Sequence, residues 1–313
     1  MHIHRLEKWQ HSHDFVAIHE KGEKRTKQVF VLTAITMIAE IIAGFAFGSM
    51  ALLADGWHMG THAAAFIIAI FAYHYTKKHS QDKRFTFGTG KVSVLGGFAS
   101  AVILAVVALI MAVESILRFI NPSVIQFNEA IFIAVFGLII NVVCALLLYV
   151  GHEHDYEHGN SQQHLNDHNL KGAYLHVLAD ALTSILAIIA LTFGKYFGWN
   201  FLDSLMGIVG SILITRWSYG LLKDTSSILL DKNIALETSK EIINIIESDS
   251  DNRVADLHVW KVGPADYAAL ISLVTHFPKD SEYYKQLLSK LTELSHLTIE
   301  VNHCNEEPCV KNI

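Results

Sequence analysis

Cysteine and charge are both scarce in this sequence. The three cysteines are Cys144, inside an apolar stretch, and Cys304 and Cys309 near the C-terminus, which is not the pattern of a secreted disulfide framework. We therefore expect free thiols in a reducing compartment. Charged residues make up only 17% of the chain, whereas 51% is hydrophobic and the mean hydropathy is positive. This composition excludes an ordinary water-soluble domain of 313 residues.

The hydrophobic residues fall in long runs. Six runs are near or above the roughly 20 residues that a helix needs to cross a bilayer. They are Val29–Phe47, Ala51–Tyr75, Val92–Phe119, Ala130–Val150, Leu170–Phe197 and Phe201–Leu222. The sequence therefore predicts an α-helical membrane protein with six transmembrane helices. No small-residue cleavage pattern follows the first run, so we interpret it as a retained helix rather than a signal peptide.

Basic residues are few beside one set of predicted helix ends, where only Arg118 and Lys195 occur. The opposite side carries two basic groups, which are Lys21, Lys24, Arg25 and Lys27 before the first span and Lys77, Lys78, Lys83, Arg84 and Lys91 between the second and third. Cytoplasmic flanks of membrane proteins are enriched in Lys and Arg. We therefore expect a multi-pass membrane protein with both termini in the cytoplasm.

The chain divides into three predicted segments. Residues 1–28 form a His-rich cytoplasmic leader, residues 29–228 a transmembrane domain with a His-rich cytoplasmic loop at 151–169, and residues 229–313 a small cytoplasmic α+β domain. Periodicity within the last segment predicts helix Ala235–Ser248, strands Val254–Val262 and Ala268–Phe277, helix Ser281–Leu294 and strand Leu297–Val301. A short sheet covered by two helices is the simplest packing of these elements.

Two predicted spans carry ionisable side chains at matching spacing. The second contains His58 and His62, and the fifth contains His176 and Asp180. Residues i and i+4 lie on one face of a helix, so two such helices in contact could present four ligands around one point, as a tetrahedral ion requires. Three imidazoles and one carboxylate suit Zn²⁺, Co²⁺ or Ni²⁺ rather than Mg²⁺ or Ca²⁺. The sequence predicts a transport site, although each residue alone could instead pack one helix on another.

Imidazole chemistry also indicates how such a site would release its ion. An unperturbed imidazole titrates at about pH 6.5, so protons arriving from the far side compete for the same lone pairs. We therefore expect proton-for-metal exchange, with protons as the counter-ion.

Much of the remaining histidine lies in two tracts, which are His2, His4, His11, His13 and His19 in the leader and His152, His154, His158, His164 and His168 before the fifth span. Clustered imidazoles can collect cytosolic metal and deliver it to a pore, whereas the alternative is a soluble linker without a transport role.

Candidate ligands for a regulatory metal in the C-terminal domain are His258, His276, His303 and Cys304. The alternative is that these residues are ordinary surface histidines and a free thiol.

Four further polar residues lie in the predicted spans. Asp55, one turn before His58, could accept a hydrogen bond from that ring and fix its tautomer, or could simply mark a helix end. Glu40 and Glu114 are unfavourable inside a bilayer and could serve proton transfer or hydrogen bonding between helices. Asn141 is predicted to hydrogen-bond between helices rather than to bind metal.

The paired ligands, the His-rich connection before the fifth span and the segment Asp256-Leu257-His258-Val259-Trp260 resemble the cation diffusion facilitator family over nearly the whole chain. The resemblance implies efflux of divalent metal as a substrate, by a homodimer whose ferredoxin-like cytoplasmic domains meet. It implies a transporter in a lipid bilayer rather than an enzyme, without a nucleic-acid partner.

Three stretches, Ala54–Phe66, Phe87–Lys91 and His176–Ser184, are similar to the DmeF-type branch of that family, which implies cobalt and nickel efflux. The commoner zinc-exporting members carry His and then Asp on the second helix, whereas position 62 here is His. The additional nitrogen donor favours Co²⁺ and Ni²⁺ relative to Mn²⁺ but does not exclude Zn²⁺.

Some relatives hold a second metal between the second and third helices. In this sequence Lys83, Phe85 and Thr89 stand near those positions, so we expect that second site to be absent or altered. His79 and Asp82 are interpreted as ordinary residues of a solvated loop.

Two other function classes use similar residues. A membrane metalloenzyme of the desaturase type needs more histidines, including adjacent pairs, and this sequence contains no His-His. A membrane metal sensor could use the same His/Asp site, but it would not need ligands between opposed helices with a polar route to each side. A transporter accumulates metal in reconstituted vesicles, a sensor only binds it stoichiometrically, and an enzyme does neither.

Overall fold

The computed structural model describes residues 23–79, 82, 84–150, 181–233, 235–263 and 266–306. Its first helices are α1 Glu23–Phe47, α2 Met50–His79, α3 Val92–Ile120, α4 Phe127–Val150, the described part of α5 Ala181–Phe197, and α6 Phe201–Leu229. The C-terminal elements are α7 Leu236–Asp249, β1 Arg253–Lys261, β2 Tyr267–Thr275, α8 Ser281–Leu287, a 3₁₀ turn Leu288–Lys290 and β3 Leu294–His303.

The helices before residue 230 form a membrane domain. Of the helices in the described ranges, α3, α4 and α6 are long and apolar enough to cross a bilayer, while α1 and α5 contain the shorter apolar stretches Val31–Phe47 and Ala181–Phe197. Large apolar side chains such as Leu109, Ile110 and Phe132 are exposed on these helices. Such continuous apolar surface suits a lipid environment rather than water.

The chain forms two compact units. The membrane unit comprises Ile18–Ala69 and Ala99–Leu222, and the C-terminal unit comprises Ile70–Phe98 together with Lys223–Ile313. The ends of α2 and α3 and the connection between these two helices thus group with the C-terminal sheet.

In the membrane unit, glycines bring α1 and α2 into backbone contact at two levels. A Cβ atom at Gly44 of α1 would lie 2.9 Å from the backbone nitrogen of Leu53, and a Cβ atom at Gly56 of α2 would lie 3.1 Å from the backbone nitrogen of Ile41. Small residues at helix interfaces allow this close approach inside membranes. The two helices therefore pack more closely than larger side chains would permit.

Helix α2 lies at the centre of the membrane unit. One apolar cluster joins it to α1, α4 and α5 through Ala43, Leu52, Ala130, Ala134 and Leu191. A second joins it to α3 and α6 through Ala54, Leu104, Ala108, Met111 and Ile214. Two polar residues of α2, Asp55 and His58, are buried among these helices.

The C-terminal domain is a three-stranded mixed sheet with the order β1-β2-β3. Strands β1 and β2 are antiparallel, whereas β2 and β3 are parallel. Parallel neighbours need a crossover connection, and α8 with the 3₁₀ turn supplies it. The core contains Ile242 and Ile246 of α7 and Tyr284 of α8, packed with Val259 and Leu273 of the sheet.

The connection between α2 and α3 docks on this sheet. The Phe87 ring meets Trp260 edge to face with centroids 5.5 Å apart, and it meets His296 in the same manner at 5.4 Å. A Cβ atom at Gly90 would overlap the carbonyl oxygen of Val262, so the backbone there approaches more closely than other residues permit.

Sequence periodicity identified the elements of this domain but misplaced boundaries: the predicted strand Leu297–Val301 is too short, because β3 is Leu294–His303. The predicted helix Ser281–Leu294 is wrong at its C-terminus, because α8 ends at Leu287 and β3 already begins at Leu294. Leu291 and Leu294 continue the apolar spacing of the helix, yet they reach the core from a turn and a strand. Helical spacing alone therefore extended the helix too far.

Candidate metal centre

The N-terminus of α2 is held by Asp203 in the first turn of α6. Its Oδ1 accepts hydrogen bonds from the Ser49 hydroxyl at 2.7 Å and from the Ala51 N–H at 3.1 Å, and its Oδ2 accepts one from the Met50 N–H at 2.8 Å. The first N–H groups of a helix lack partners within the helix, and a carboxylate suits its positive end. Asp203 thereby fixes where α2 begins.

His58 lies deep in the membrane unit. It stands eight residues after Met50, which corresponds to about 12 Å along the helix axis. Only 3% of the residue is exposed, and its ring centroid lies 4.4 Å from that of Trp217 on α6. A buried imidazole among apolar neighbours needs polar partners or a metal ion to be tolerated. The role of His58 as a metal ligand stays a prediction.

One turn before His58, Asp55 connects α2 to α5. The Thr183 hydroxyl donates to Asp55 Oδ1 at 2.9 Å, and the Ser184 hydroxyl donates to Oδ2 at 2.5 Å. The Asn141 amide of α4 in turn donates to the Ser184 hydroxyl oxygen at 3.4 Å, which confirms its predicted contact between helices. Asp55 thus fixes the packing of α2 on α5. A hydrogen bond from His58 to Asp55 stays a prediction.

The other predicted transport ligands lie outside the described residues. His62 follows His58 by one turn on α2, but its side chain is not among those described. His176 and Asp180 belong to residues 151–180, which also include the second histidine tract, and the first tract falls in residues 1–22.

The two acidic residues predicted within the first and third spans differ in their surroundings. Glu114 accepts a 2.8 Å hydrogen bond from Arg118 one turn later, and Arg118 also donates to the Gly48 carbonyl oxygen at 2.8 Å. Glu40 is 0% exposed, and the described residues provide no hydrogen-bond partner to either of its oxygens. Glu114 therefore forms an ordinary ion pair, whereas Glu40 is a buried acid without one.

In the connection between α2 and α3, Asp82 pairs with Arg84. The hydrogen bonds from the Arg84 side chain lower the pKa of Asp82 to about 2. The His79 ring stacks on Tyr75 with centroids 4.2 Å apart. Asp82 lies in this connection as expected, whereas His79 does not, because it is the last residue of α2. Lys83 lies outside the described residues. An absent or altered second site stays a prediction.

The C-terminal histidines have separate surroundings. His258 is exposed with its Nε2 atom 2.9 Å from Asp256, while His276 is nearly buried and its Nδ1 atom donates to Asp251 at 2.5 Å. His303 is exposed at the end of β3, and the N–H of Cys304 donates to the Thr275 carbonyl oxygen at 2.9 Å. Within the described ranges, no three His, Cys, Asp or Glu side chains gather as metal ligands. The regulatory metal stays a prediction.

Sequence reasoning missed the residues that hold α2. Asp203 is the third residue of the apolar run Phe201–Leu222, where the sequence alone suggests an exposed acid at a helix start. Thr183 and Ser184 follow Asp180 by three and four residues, so their position one helical turn from a predicted ligand was an available signal.

Comparisons with known proteins indicate the family of this chain. Residues 27–230 match the model of the cation efflux transmembrane domain. The zinc transporter ZitB of Escherichia coli K12 is 31% identical, over 96% of this chain and 93% of that protein. The cadmium, cobalt and zinc/H(+)-K(+) antiporter of Bacillus subtilis is 30% identical over 78% of this chain and 76% of its own length. The cation efflux system protein CzcD of an Alcaligenes strain is 29% identical over 93% and 89%.

Proposed function

Because this chain belongs to the cation efflux family of membrane transporters, we propose that it exports divalent transition-metal cations from the cytoplasm in exchange for protons. His58, His62, His176 and Asp180 bind the ion during transport. In this function the metal is the substrate, and the protein carries out no chemical conversion of it.

The contact between Asp55 and Ser184 carries this proposal. Asp55 precedes His58 by one helical turn, and Ser184 follows Asp180 by one turn in sequence. In a six-span plan α2 and α5 run in opposite directions, so stepping from Asp55 to His58 and from Ser184 back to Asp180 leads toward the same membrane face. Another turn along each helix reaches His62 and His176. Both ligand pairs would then lie at matching depths and face one ion.

The donor set favours late transition metals. Three imidazoles and one carboxylate suit Zn²⁺, Co²⁺, Ni²⁺ and Cd²⁺, and related proteins are named for zinc or for cadmium, cobalt and zinc. We propose that the imidazole of His62, in place of a carboxylate, shifts preference toward Co²⁺ and Ni²⁺ relative to Zn²⁺.

Protons supply the driving force in this proposal. The Bacillus subtilis relative is named an H(+)-K(+) antiporter. Imidazole ligands lose metal when they are protonated, so a higher proton concentration on the far side promotes release there.

We propose a homodimer with six transmembrane helices per chain and both termini in the cytoplasm, located in a bacterial inner membrane. Its segments are the leader 1–28, the transmembrane domain 29–228 and the cytoplasmic domain 229–313. The order of α7, β1, β2, α8 and β3 supports a ferredoxin-like arrangement, since it matches the last five elements of that fold.

The histidine tracts and the C-terminal domain have auxiliary roles in this proposal. The tracts collect cytosolic metal, so deleting either one raises the metal concentration needed for transport without abolishing it. Loss of all flux in a properly inserted deletion variant would contradict that role. A regulatory metal held by His258, His276, His303 or Cys304 would adjust transport.

The central experiment is metal uptake by inside-out proteoliposomes. Wild-type protein is expected to accumulate Co²⁺, Ni²⁺ or Zn²⁺ when the lumen is acidic, and His58→Ala is expected to abolish accumulation. His74→Ala is the matched control, because His74 is an exposed histidine of the same helix. Equal uptake by His58→Ala and wild type, or uptake indifferent to the pH gradient, would refute the proposal.

A further inference from the structure

Glu40 of α1 is a buried acid that the proposed metal site does not use. The residue is fully buried, with 0% of its surface exposed, and both carboxyl oxygens lack a hydrogen-bond partner among the described residues. An ionised carboxylate without partners is strongly unfavourable in such surroundings, whereas the neutral acid is tolerated. Ionisable groups inside membrane helices are usually retained for a function.

Two glycines from neighbouring helices provide the space that Glu40 occupies. A Cβ atom at Gly137 of α4 would overlap Oε1 of Glu40, and a Cβ atom at Gly56 of α2 would lie 3.2 Å from the Cβ atom of Glu40. The Thr36 methyl group lies against the same point of α4. Helices α1, α2 and α4 therefore form a close-fitting cradle for this one acidic side chain.

The charged neighbour of Glu40 is Asp55 on α2, directly before Gly56. Asp55 receives hydrogen bonds from Thr183 and Ser184, so its charge is stabilised while that of Glu40 is not. On α4, the titratable residues among the described side chains are Glu129 and Cys144, each about two turns from Gly137. Between Val31 and Phe47 of α1, Glu40 is the only charged residue. When two acids have such different surroundings, one is kept ionised and the other neutral.

We propose that Glu40 is a second proton-carrying group of the transporter, separate from the imidazoles that bind metal. Its carboxyl group holds a proton in the arrangement described above. It releases that proton to cytoplasmic water when α4 moves away from the packed pair α1 and α2 and opens the cradle, and it takes up another from water on the far side. Glu40 alternates only between acid and carboxylate, so the step is balanced by the proton alone. The inference rests on proton-coupled metal export.

Glu40→Gln tests this role, because the amide keeps the size and the neutral state of the acid but cannot exchange a proton. Proteoliposomes carrying a trapped pH dye report metal uptake and proton efflux together. The variant is expected to move about one proton fewer per metal ion and to respond less to an imposed pH gradient, with unchanged Co²⁺ affinity. Glu114→Gln, at the acid paired with Arg118, is the control and should keep the wild-type number of protons moved per metal ion. If Glu40→Gln moves as many protons per metal ion as the wild type, the inference is overturned.

Infrared difference spectra of wild-type protein provide a second readout that does not depend on how the Gln variant folds. Titration with protons or Co²⁺ is expected to change a band of a protonated carboxylic acid, and Glu40→Asp should shift that band and retain proton exchange. Absence of any protonated carboxyl band in the wild type would also overturn the inference. Wild-type vesicles without metal uptake or proton efflux would instead refute the proposed function itself.

Discussion

The Ser184 hydroxyl on α5 donates a 2.5 Å hydrogen bond to Asp55 on α2, one turn from His58. This bond joins the two helices that carry the predicted ligands, at a point next to them. Residues that orient ligands from outside are sensitive to small changes, since a shift of one helix moves every ligand on it.

Asp55→Asn is expected to weaken metal binding about 10- to 100-fold, because the amide can accept from only one of the two hydroxyls without strain. Titration calorimetry with Co²⁺ measures the change. Asp224→Asn is the control, since Asp224 is exposed on α6. Equal affinities for Asp55→Asn and wild type would show that the contact does not support the site.

His62→Asp is expected to move metal preference from Co²⁺ and Ni²⁺ toward Zn²⁺, because it replaces a nitrogen donor with a carboxylate. Competitive uptake of the three ions by proteoliposomes measures the shift. His74→Asp introduces the same acid at an exposed position of α2 and should leave the preference as it is. A preference that does not change in His62→Asp would exclude ligand type at this position as the determinant.

Asp203→Ala is expected to destabilise the protein by about 1–3 kcal/mol, since it leaves the buried N–H groups of Met50 and Ala51 without their acceptor. Thermal unfolding in detergent measures the loss. Glu129→Ala removes an exposed acid from the first turn of α4 and should have little effect. If both variants unfold at the same temperature as the wild type, the capping role of Asp203 is wrong.

Gly90→Ala is expected to loosen the connection between α2 and α3 from the C-terminal sheet, because the added methyl group would overlap the Val262 carbonyl oxygen. Limited trypsin digestion, with the cut sites mapped by mass spectrometry, should show faster cleavage. Gly220→Ala is the matched control, as nothing lies within 4 Å of a Cβ atom there. Identical digestion of Gly90→Ala and wild type would contradict the expectation.

Asp251 is expected to make stability depend on acid pH. Burial raises the pKa of this carboxyl, but hydrogen bonds from Thr275 and His276 outweigh that effect and lower it. A lowered folded-state pKa gives stability that is present above the unfolded value of about 3.9 and is lost as pH falls through the folded value. The thermal midpoints of Asp251→Asn and wild type should therefore differ near neutrality and converge as the pH falls below the unfolded value of about 3.9.

The control for that comparison is Asp256→Asn, which removes an exposed acid paired with exposed His258. Surface ion pairs of this kind contribute little to stability, so the thermal midpoint of Asp256→Asn should equal that of the wild type at every pH. A constant difference between Asp251→Asn and wild type from neutral to acid pH would exclude the titration of Asp251.

Sequence periodicity predicted the elements that burial determines. Helices α3, α4 and α6 and strands β1 and β2 appear where apolar runs and alternation indicated them. Asn141 was correctly assigned to a contact between helices, because an amide in an apolar span has few other uses. These features depend only on the chain near each residue.

Contacts between helices were harder to predict from the sequence. The i,i+4 spacing of Glu114 and Arg118 indicates their ion pair in the sequence, but only the packing shows that Glu40 lies in a cradle between two glycines. The partners of Asp55 and Asp203 depend on which helix faces lie opposite each other, which a single periodic pattern does not specify. Distance along the chain explains why, since Ser49 and Asp203 are separated by 154 positions.

The glycine contacts between α1 and α2 also constrain how the protein can move. Helices whose backbones touch near both Gly44 and Gly56 cannot slide past one another without collision. In the proposed export of metal they should travel as a single rigid pair, carrying Glu40 and His58 together. The hinge or rocking surface that exposes bound metal first to one compartment and then to the other must consequently lie elsewhere among the helices.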